Sequence, residues 1–233
     1  MSIARIPGRL FSAEIERRDE QNMQKRLRES MIECIDANYS RIEWPPDRLL
    51  DKARINTILA LEWVRRKQHC IITGPTGSGK TWMAGAIVRQ ACLKGHKVKS
   101  YRLPTLLRKF ARFQSAAEME NDGQTKFLQD LSILDLLHID DWAVGGGLEM
   151  QPVHRIGLYE IIRHCAGRVS LLITGVPPVS SWAAFIGEPT IADVILDRIV
   201  KRSLRLELHG KSLRNKEEYG GIPHEDQADS EEK

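Results

Sequence analysis

The sequence contains no apolar run that approaches the roughly 20 residues of a membrane-spanning helix. Residues 1–9 also lack the apolar core of a secretory signal peptide. Cysteine is scarce, and no CxxC spacing occurs among Cys34, Cys70, Cys92 and Cys165, which argues against a zinc site and a disulfide framework. We therefore expect a cytoplasmic protein with buried, free thiols.

Charge is distributed unevenly along the chain. The formal net charge of all 233 residues is +4. Residues 217–233 hold seven acidic residues and one lysine, so their net charge is about −6 and that of residues 1–216 is about +10. A basic body favours a polyanionic partner such as nucleic acid, although a solubilising surface would give the same imbalance. The acidic tail has few large apolar residues, and we expect it to be disordered.

Strand and helix patterns alternate through most of the chain. Short apolar strands are predicted at 69–73, 97–101, 135–139, 169–174 and 204–208, and helices at 81–93, 104–113, 126–132, 153–165 and 190–200. This alternation predicts an α/β fold with a mostly parallel sheet and helices on both faces.

The segment before the first strand has a different pattern. A helical period runs from about residue 10 to 40 and again from 49 to 65, and Trp44-Pro45-Pro46 separates the two. We divide the chain into a basic N-terminal helical region at 1–45, an α/β core at 46–216 and the acidic tail at 217–233.

A glycine-rich loop follows the first predicted strand. Its sequence, Gly74-Pro75-Thr76-Gly77-Ser78-Gly79-Lys80-Thr81, matches G-x-x-x-x-G-K-[ST], and Trp82 comes next in the following helix. The glycines let backbone N–H groups turn toward a phosphate at a helix N-terminus. Lys80 would reach the β- and γ-phosphates, and Thr81 would bind Mg²⁺. Residues 74–82 thus predict a site for ATP and Mg²⁺, against the alternative of a plain glycine turn with an exposed lysine.

Two acidic residues end the predicted strand at 135–139. Asp140 is placed to hold Mg²⁺, and Asp141 to orient or deprotonate the attacking water. Paired acids that simply end a strand are the alternative, which their position about 60 residues after the loop disfavours. His138 is unusual in this apolar run, and we interpret it as a packed core histidine rather than a catalytic one.

Several stretches, in order, carry a family resemblance. They are the loop at 74–81, the segments 135–142, 171–174 and 186–190, the block Ile191-Ala-Asp-Val-Ile-Leu-Asp-Arg-Ile-Val200, and 206–214. Through these stretches the chain resembles the IstB-like transposition helper ATPases over about residues 45–216. That family is a branch of the AAA+ P-loop NTPases close to the DnaC helicase loaders. The resemblance implies an AAA+ core without a C-terminal lid domain.

The resemblance also implies roles for individual residues. Asp140 and Asp141 match the Walker B acids, and Thr174 matches the sensor that hydrogen-bonds toward the γ-phosphate. Many relatives have serine or asparagine next, where this chain has Gly175. Arg198 matches the arginine finger that enters a neighbouring subunit's ATP site, which requires an ATP-dependent homo-oligomer. The alternative for Arg198 is a helix arginine paired with a nearby aspartate.

Nucleic-acid contacts are expected on the helix that follows the second strand, because this clade places that helix over bound nucleic acid. Leu103, Leu106, Leu107 and Phe110 recur at helical spacing and should pack inward. Arg108, Lys109 and Arg112 would then face outward and bind the phosphates of double-stranded DNA without sequence preference. A solvated helix face is the alternative. The basic N-terminal helix is a second candidate for DNA, or a surface for the transposase.

The function that these features predict is an ATP-dependent DNA-binding helper of a transposase. It would act in target-site selection and transposase stimulation, with ATP hydrolysis to ADP and phosphate as an assembly switch. The alternative is a DnaC-type replicative helicase loader with the same core and a helicase as partner. A small-molecule kinase is disfavoured because neither an acceptor pocket nor an arginine-rich lid is evident. A nucleotide-binding scaffold without turnover is disfavoured by the intact Lys80, Asp140 and Asp141.

Overall fold

The computed structural model describes residues 6–41, 50–115, 121–144, 150–210 and 212–213. The Trp-Pro-Pro segment at 44–46, Arg214 and the predicted acidic tail lie outside these residues. Within the described ranges, no helix is both long and apolar enough to cross a bilayer.

The centre of the fold is a parallel sheet. Its strands are β1 (His69–Thr73), β2 (Val98–Arg102), β3 (Leu136–Trp142), β4 (Ser170–Gly175) and β5 (Ser203–Glu207). They lie in the order β2-β3-β4-β1-β5, and every pairing is parallel. The predicted sheet is confirmed: β1 has the predicted bounds, and the ends of the other four strands are shifted by one to three residues.

Helices cover both faces of this sheet. They are α1 (Ile6–Glu29), α2 (Lys52–Ala60), α3 (Glu62–Arg65), α4 (Lys80–Leu93), α5 (Leu103–Ser115), α6 (Asn121–Ser132), α7 (Pro152–Cys165), α8 (Trp182–Ile186) and α9 (Pro189–Val200). Residues of α1 to α4 pack with one face, and residues of α5 to α9 pack with the other. Strand residues alternate between these two cores: Ile71 and Ile173 join one, and Ile72 and Leu172 the other.

The N-terminal helices are shorter than predicted. The helix expected over 10–40 ends at Glu29, because Ser30 turns back to hydrogen-bond Leu27 and its carbonyl accepts the Ser100 N–H of β2 at 2.7 Å. Met31 takes a left-handed backbone and is 60% exposed. The helix expected over 49–65 is broken at Leu61, which is also left-handed (φ 63°) and separates α2 from α3.

The cysteines match their expected environment in three of four cases. Cys70, Cys92 and Cys165 are buried free thiols, and Cys34 is half-buried. Burial raises the pKa of the Cys70 thiol to about 12, so this side chain behaves as a small apolar core residue.

Candidate nucleotide site

The strand order brings the predicted site residues to one edge of the sheet. β4 lies between β1 and β3, and all three strands point the same way. The glycine loop leaves the carboxyl end of β1, Thr174 lies at the end of β4, and Asp140 and Asp141 lie at the end of β3. Ligands of open α/β sheets bind at this carboxyl edge.

The glycine loop has the backbone that its sequence predicts. Gly77 (φ 79°) and Gly79 (φ 96°) are left-handed, a region that favours glycine, and Gly79 caps the start of α4. The Lys80 ammonium donates 2.8 Å hydrogen bonds to the carbonyls of Gly74 and Pro75. Of the remaining loop residues, Pro75 and Thr76 are exposed, Ser78 is buried, and Trp82 is half-buried on the first turn of α4.

Thr81 and Asp140 meet at the centre of the site. The Thr81 hydroxyl donates a 3.2 Å hydrogen bond to Asp140 Oδ2. Neighbouring oxygens around an octahedral Mg²⁺ are about 2.9 Å apart, so this pair fits one ion. No group of three or more His, Cys, Asp and Glu that could hold a metal occurs in the part of the chain that the structure describes. Mg²⁺ takes one or two protein oxygens and completes its shell with phosphate and water, and the Thr81–Asp140 pair offers two such oxygens.

Asp140 is held by two further donors. Its Oδ1 accepts the backbone N–H of Asp141 at 2.9 Å and the hydroxyl of Thr174. The Thr174 hydroxyl in turn lies 3.1 Å from His138 Nε2. Thr174, expected to face the γ-phosphate, therefore contacts Asp140, and His138 is bonded to the site rather than only packed in the core.

From the sequence, His138 was interpreted only as a packed core histidine, although its spacing from Asp140 indicates that it faces the site. Because strand residues two apart share a face, a polar residue two positions before Asp140 points to the same side as Asp140. His138 is 1% exposed, and burial lowers its pKa from 6.5 to about 4. The imidazole is thus neutral at pH 7.

Asp141 occupies a bend at the end of β3 and is paired with a residue that the sequence did not suggest. Its backbone is left-handed (φ 57°), and the register of β3 shifts between Ile139 and Trp142. The carboxylate accepts a hydrogen bond from Arg102 Nε at the end of β2. This hydrogen bond and the charge of Asp141 raise the pKa of Arg102 above its usual value. Arg102 lies opposite Asp140 in the β2–β3 register, which only the paired sheet shows.

The segment after β5 lies on the glycine loop, another contact that the sequence did not predict. Leu208 N–H donates to the Thr73 carbonyl at 2.8 Å, and Leu213 N–H to the Gly77 carbonyl at 2.9 Å. A Cβ atom at Gly77 would lie 2.1 Å from the Ser212 hydroxyl. Glycine at 77 is therefore required by this close approach as well as by its backbone angle.

Arg198 lies away from the chain's own glycine loop. It is in the last turn of α9, just before β5 begins beside the amino end of β1. Five residues of β1 separate that edge from the loop, a distance of about 16 Å. Arg198 Cζ lies 5.7 Å from the centre of the Tyr159 ring, and among the described residues its buried Nη1 has no hydrogen-bond partner.

The neighbouring aspartate is already paired, since Asp197 contacts Lys201. Within the described ranges Arg198 forms no ion pair with Asp197 or with Asp193, so the alternative of a helix arginine paired with one of these aspartates is not observed.

The basic face of α5 has the predicted orientation. Leu103, Leu106, Leu107 and Phe110 are buried, while Arg108, Lys109 and Arg112 are exposed. The Lys109 ammonium lies 5.5 Å from the centre of the Tyr101 ring and 5.1 Å from that of Phe127. Arg108 bonds only weakly to Thr105, at 3.3 Å.

Comparison with known sequences agrees with these features. The sequence profile of the family described as "IstB-like ATP binding protein" matches residues 1–220. The chain is 35% identical over 170 residues to a protein of Sinorhizobium fredii named as an insertion sequence ATP-binding protein, covering 72% of this chain and 64% of that one. A protein of Pseudomonas fluorescens named for insertion sequence IS1162 is 32% identical over 177 residues, 76% of this chain and 73% of its own length. The chain thus spans slightly less than two thirds of the first relative.

Solved structures share the fold at low sequence identity. DnaI matches with a TM-score of 0.57 and 19% identity over 77% of this chain and 92% of its own. The DnaC helicase loader matches with a TM-score of 0.55 and 17% identity, over 73% of this chain and 97% of its own. The replication initiator DnaA bound to AMPPCP and single-stranded DNA matches with a TM-score of 0.58 and 13% identity, over 76% of this chain and 50% of its own. The profile match over residues 1–220 shows that the chain belongs to the family of IstB-like ATP-binding proteins, and the solved structures show that it shares their fold.

Proposed function

We propose that this ATPase is a DNA-binding helper of the transposase of an insertion sequence. The observation that carries the proposal is the family match over residues 1–220, together with relatives that are named as ATP-binding proteins of insertion sequences. A helper of this kind acts in target-site selection and stimulates the transposase, and it does not cut DNA itself.

The ATP site supports a division of roles among its residues. The backbone N–H groups of the glycine loop and the Lys80 ammonium bind the phosphates, with Lys80 exchanging its two carbonyl partners for phosphate oxygens. Thr81 and Asp140 would hold Mg²⁺, which would supply positive charge to the phosphates. Asp141 orients the attacking water, and Thr174 links Asp140 to the end of β4.

Hydrolysis requires a second copy of the chain in this proposal. Arg198 lies at the amino edge of the sheet, so it cannot reach its own glycine loop at the carboxyl edge. A buried Nη1 without a hydrogen-bond partner in the described ranges leaves Arg198 with unused bonding capacity. We infer that Arg198 completes the ATP site of a neighbouring subunit, so that ATP binding promotes assembly.

Double-stranded DNA is the partner that the charge favours. Arg108 and Arg112 project from α5 next to the end of β2, on a body with a net charge of about +10 over residues 1–216. DnaA, which shares the fold, is solved with AMPPCP and single-stranded DNA. Contacts from such side chains to phosphates give affinity without sequence choice.

The proposal predicts that a transposase is encoded beside this chain, and it is tested by combining the two proteins. With ATP we expect the purified chain to assemble on double-stranded DNA and to raise the rate of strand transfer into that DNA. Lys80→Ala should do neither, while the surface variant Lys94→Ala, at the far end of α4, should behave as the wild type. Loading of a replicative helicase onto single-stranded DNA without any effect on strand transfer would instead favour the helicase-loader alternative.

A further inference from the structure

A chain of hydrogen bonds connects the buried His138 to the magnesium side of the site. It runs from His138 Nε2 to Thr174 Oγ1 over 3.1 Å, and then from Thr174 Oγ1 to Asp140 Oδ1. The other oxygen of Asp140 accepts the hydroxyl of Thr81. Two hydrogen bonds therefore connect His138 to the carboxylate of Asp140, one of the two residues proposed to hold Mg²⁺.

The chemistry of these groups fixes the direction of each hydrogen bond. Thr174 donates its single hydroxyl proton to Asp140 Oδ1. Thr174 Oγ1 can then only accept from His138, so His138 carries a proton on Nε2.

His138 also lines a small cavity beside the site. The cavity has a volume of about 30 Å³, and its lining includes Ser100, Arg102, Thr81 and Asp140 as well as residues 31–33. Ser100 lies opposite His138 in the β2–β3 register. Ser100 Oγ and His138 Nδ1 are both buried, and neither has a hydrogen-bond partner in the ranges that the structure covers.

We propose that His138 is a positioning residue for the magnesium site, which through Thr174 holds the Asp140 carboxylate in the orientation that meets Thr81. The proposal rests on the assignment of Thr81 and Asp140 to Mg²⁺ made above. Groups that orient a metal ligand through hydrogen bonds change metal affinity by about 10- to 100-fold when they are removed. A histidine that only filled space in this core would instead be replaceable by leucine without effect on the metal.

The test measures binding rather than turnover. A fluorescent ATP derivative is titrated into the full chain with Mg²⁺ and again with EDTA, and the ratio of the two dissociation constants gives the gain in affinity due to Mg²⁺. His138→Leu removes the donor, and we expect it to lower this gain about tenfold or more while leaving the affinity in EDTA unchanged. His138→Gln keeps an N–H donor in the same region and should retain the gain within about threefold.

A folded His138→Leu variant with the wild-type gain would overturn the proposal. If His138→Leu does not fold, Thr174→Val breaks the same chain with a side chain of equal shape, and an unchanged gain in that variant is equally decisive. A wild-type chain whose affinity for the ATP derivative is the same with Mg²⁺ and with EDTA would refute the magnesium assignment itself, a result distinct from failure of the His138 role.

Discussion

The Thr81 hydroxyl lies 3.2 Å from the Asp140 carboxylate, although the two residues are 59 positions apart in the chain. Thr81 lies in the first turn of α4, after β1, and Asp140 lies on β3, and these two strands are not neighbours in the sheet. β4 lies between the two strands and contributes Thr174 to the same contact. The site therefore depends on the register of three parallel strands, and each of its residues can be tested separately.

Lys80→Ala should abolish ATP binding. The variant removes the only positive side chain of the glycine loop, and the backbone N–H groups alone do not neutralise the charge of a triphosphate. Calorimetric titration with ATP and a phosphate-release assay measure the effect, with Lys94→Ala as the matched control on the same helix. Wild-type turnover by Lys80→Ala would show that the nucleotide binds elsewhere.

Arg102→Gln should increase the basal ATPase rate about twofold to fivefold without changing ATP affinity. The Arg102 side chain is hydrogen-bonded to the Asp141 carboxylate, and removing it frees this carboxylate to orient water. The ion pair is partly exposed, so we expect the effect of its removal to be modest. Steady-state kinetics at saturating ATP measure the rate. The control is Arg65→Gln, which removes an exposed arginine of α3 that pairs with Glu62. A large fall in turnover would mean that Arg102 itself acts on the phosphates.

Arg198→Ala should bind ATP nearly normally but hydrolyse it about a hundredfold more slowly or worse, as expected for a finger acting on a neighbouring subunit. Mixing it with Lys80→Ala provides the sharper measurement. In a mixed assembly the Lys80→Ala subunit supplies an intact Arg198 to the intact loop of its neighbour, so part of the turnover should return. Arg205→Ala, exposed on β5, is the control. A normal rate per subunit for Arg198→Ala would refute the finger role.

The fold was predictable because its signals are local. The strand before Gly74 and the helix after Thr81 have apolar patterns of the right period, and the glycine loop identifies the edge where the site forms. The inward face of α5 was predictable for the same reason, since its apolar residues between Leu103 and Phe110 recur at helical spacing.

The features that sequence reasoning missed depend on contacts between distant segments. α1 ends early because the Ser30 carbonyl is taken by β2, 70 residues away, and no residue near Ser30 signals this. The Arg102–Asp141 pair and the approach of Ser212 to Gly77 likewise appear only once the strands are in register. The two-residue spacing between His138 and Asp140 indicates that both face the same side of the sheet. The sequence does not indicate the hydrogen bond from His138 to Thr174, because Thr174 lies on another strand.

DNA affinity should fall steeply with salt, and Arg108→Ala should reduce both the affinity and the steepness. Each phosphate contact contributes about 0.9 to the slope of log affinity against log salt concentration, so loss of Arg108 should lower the slope by about one. Lys109→Ala should have a smaller effect, because its ammonium lies over the Tyr101 and Phe127 rings. Fluorescence anisotropy with a double-stranded oligonucleotide at several salt concentrations measures both; a flat salt dependence would argue against binding led by phosphates.

Gly175→Ser should destabilise the protein, because the end of β4 leaves no room for a side chain at this position. A Cβ atom at Gly175 would lie 2.6 Å from the Trp142 carbonyl, and Trp142 is fixed by its contact with the Trp182 ring, whose centre is 4.9 Å away. Because both tryptophans are fully buried, the strand ends must move apart, and overpacking of this kind costs about 1–3 kcal/mol.

Urea or thermal unfolding of the full chain measures this cost, with Ala184→Ser on the exposed side of α8 as the control for adding a hydroxyl. For a chain of this size each kcal/mol corresponds to about 2–4 °C in Tm. A Gly175→Ser variant as stable as the wild type would show that β3 and β4 can separate at this edge. The close approach of Trp142 would then not be the reason why this chain has glycine after Thr174.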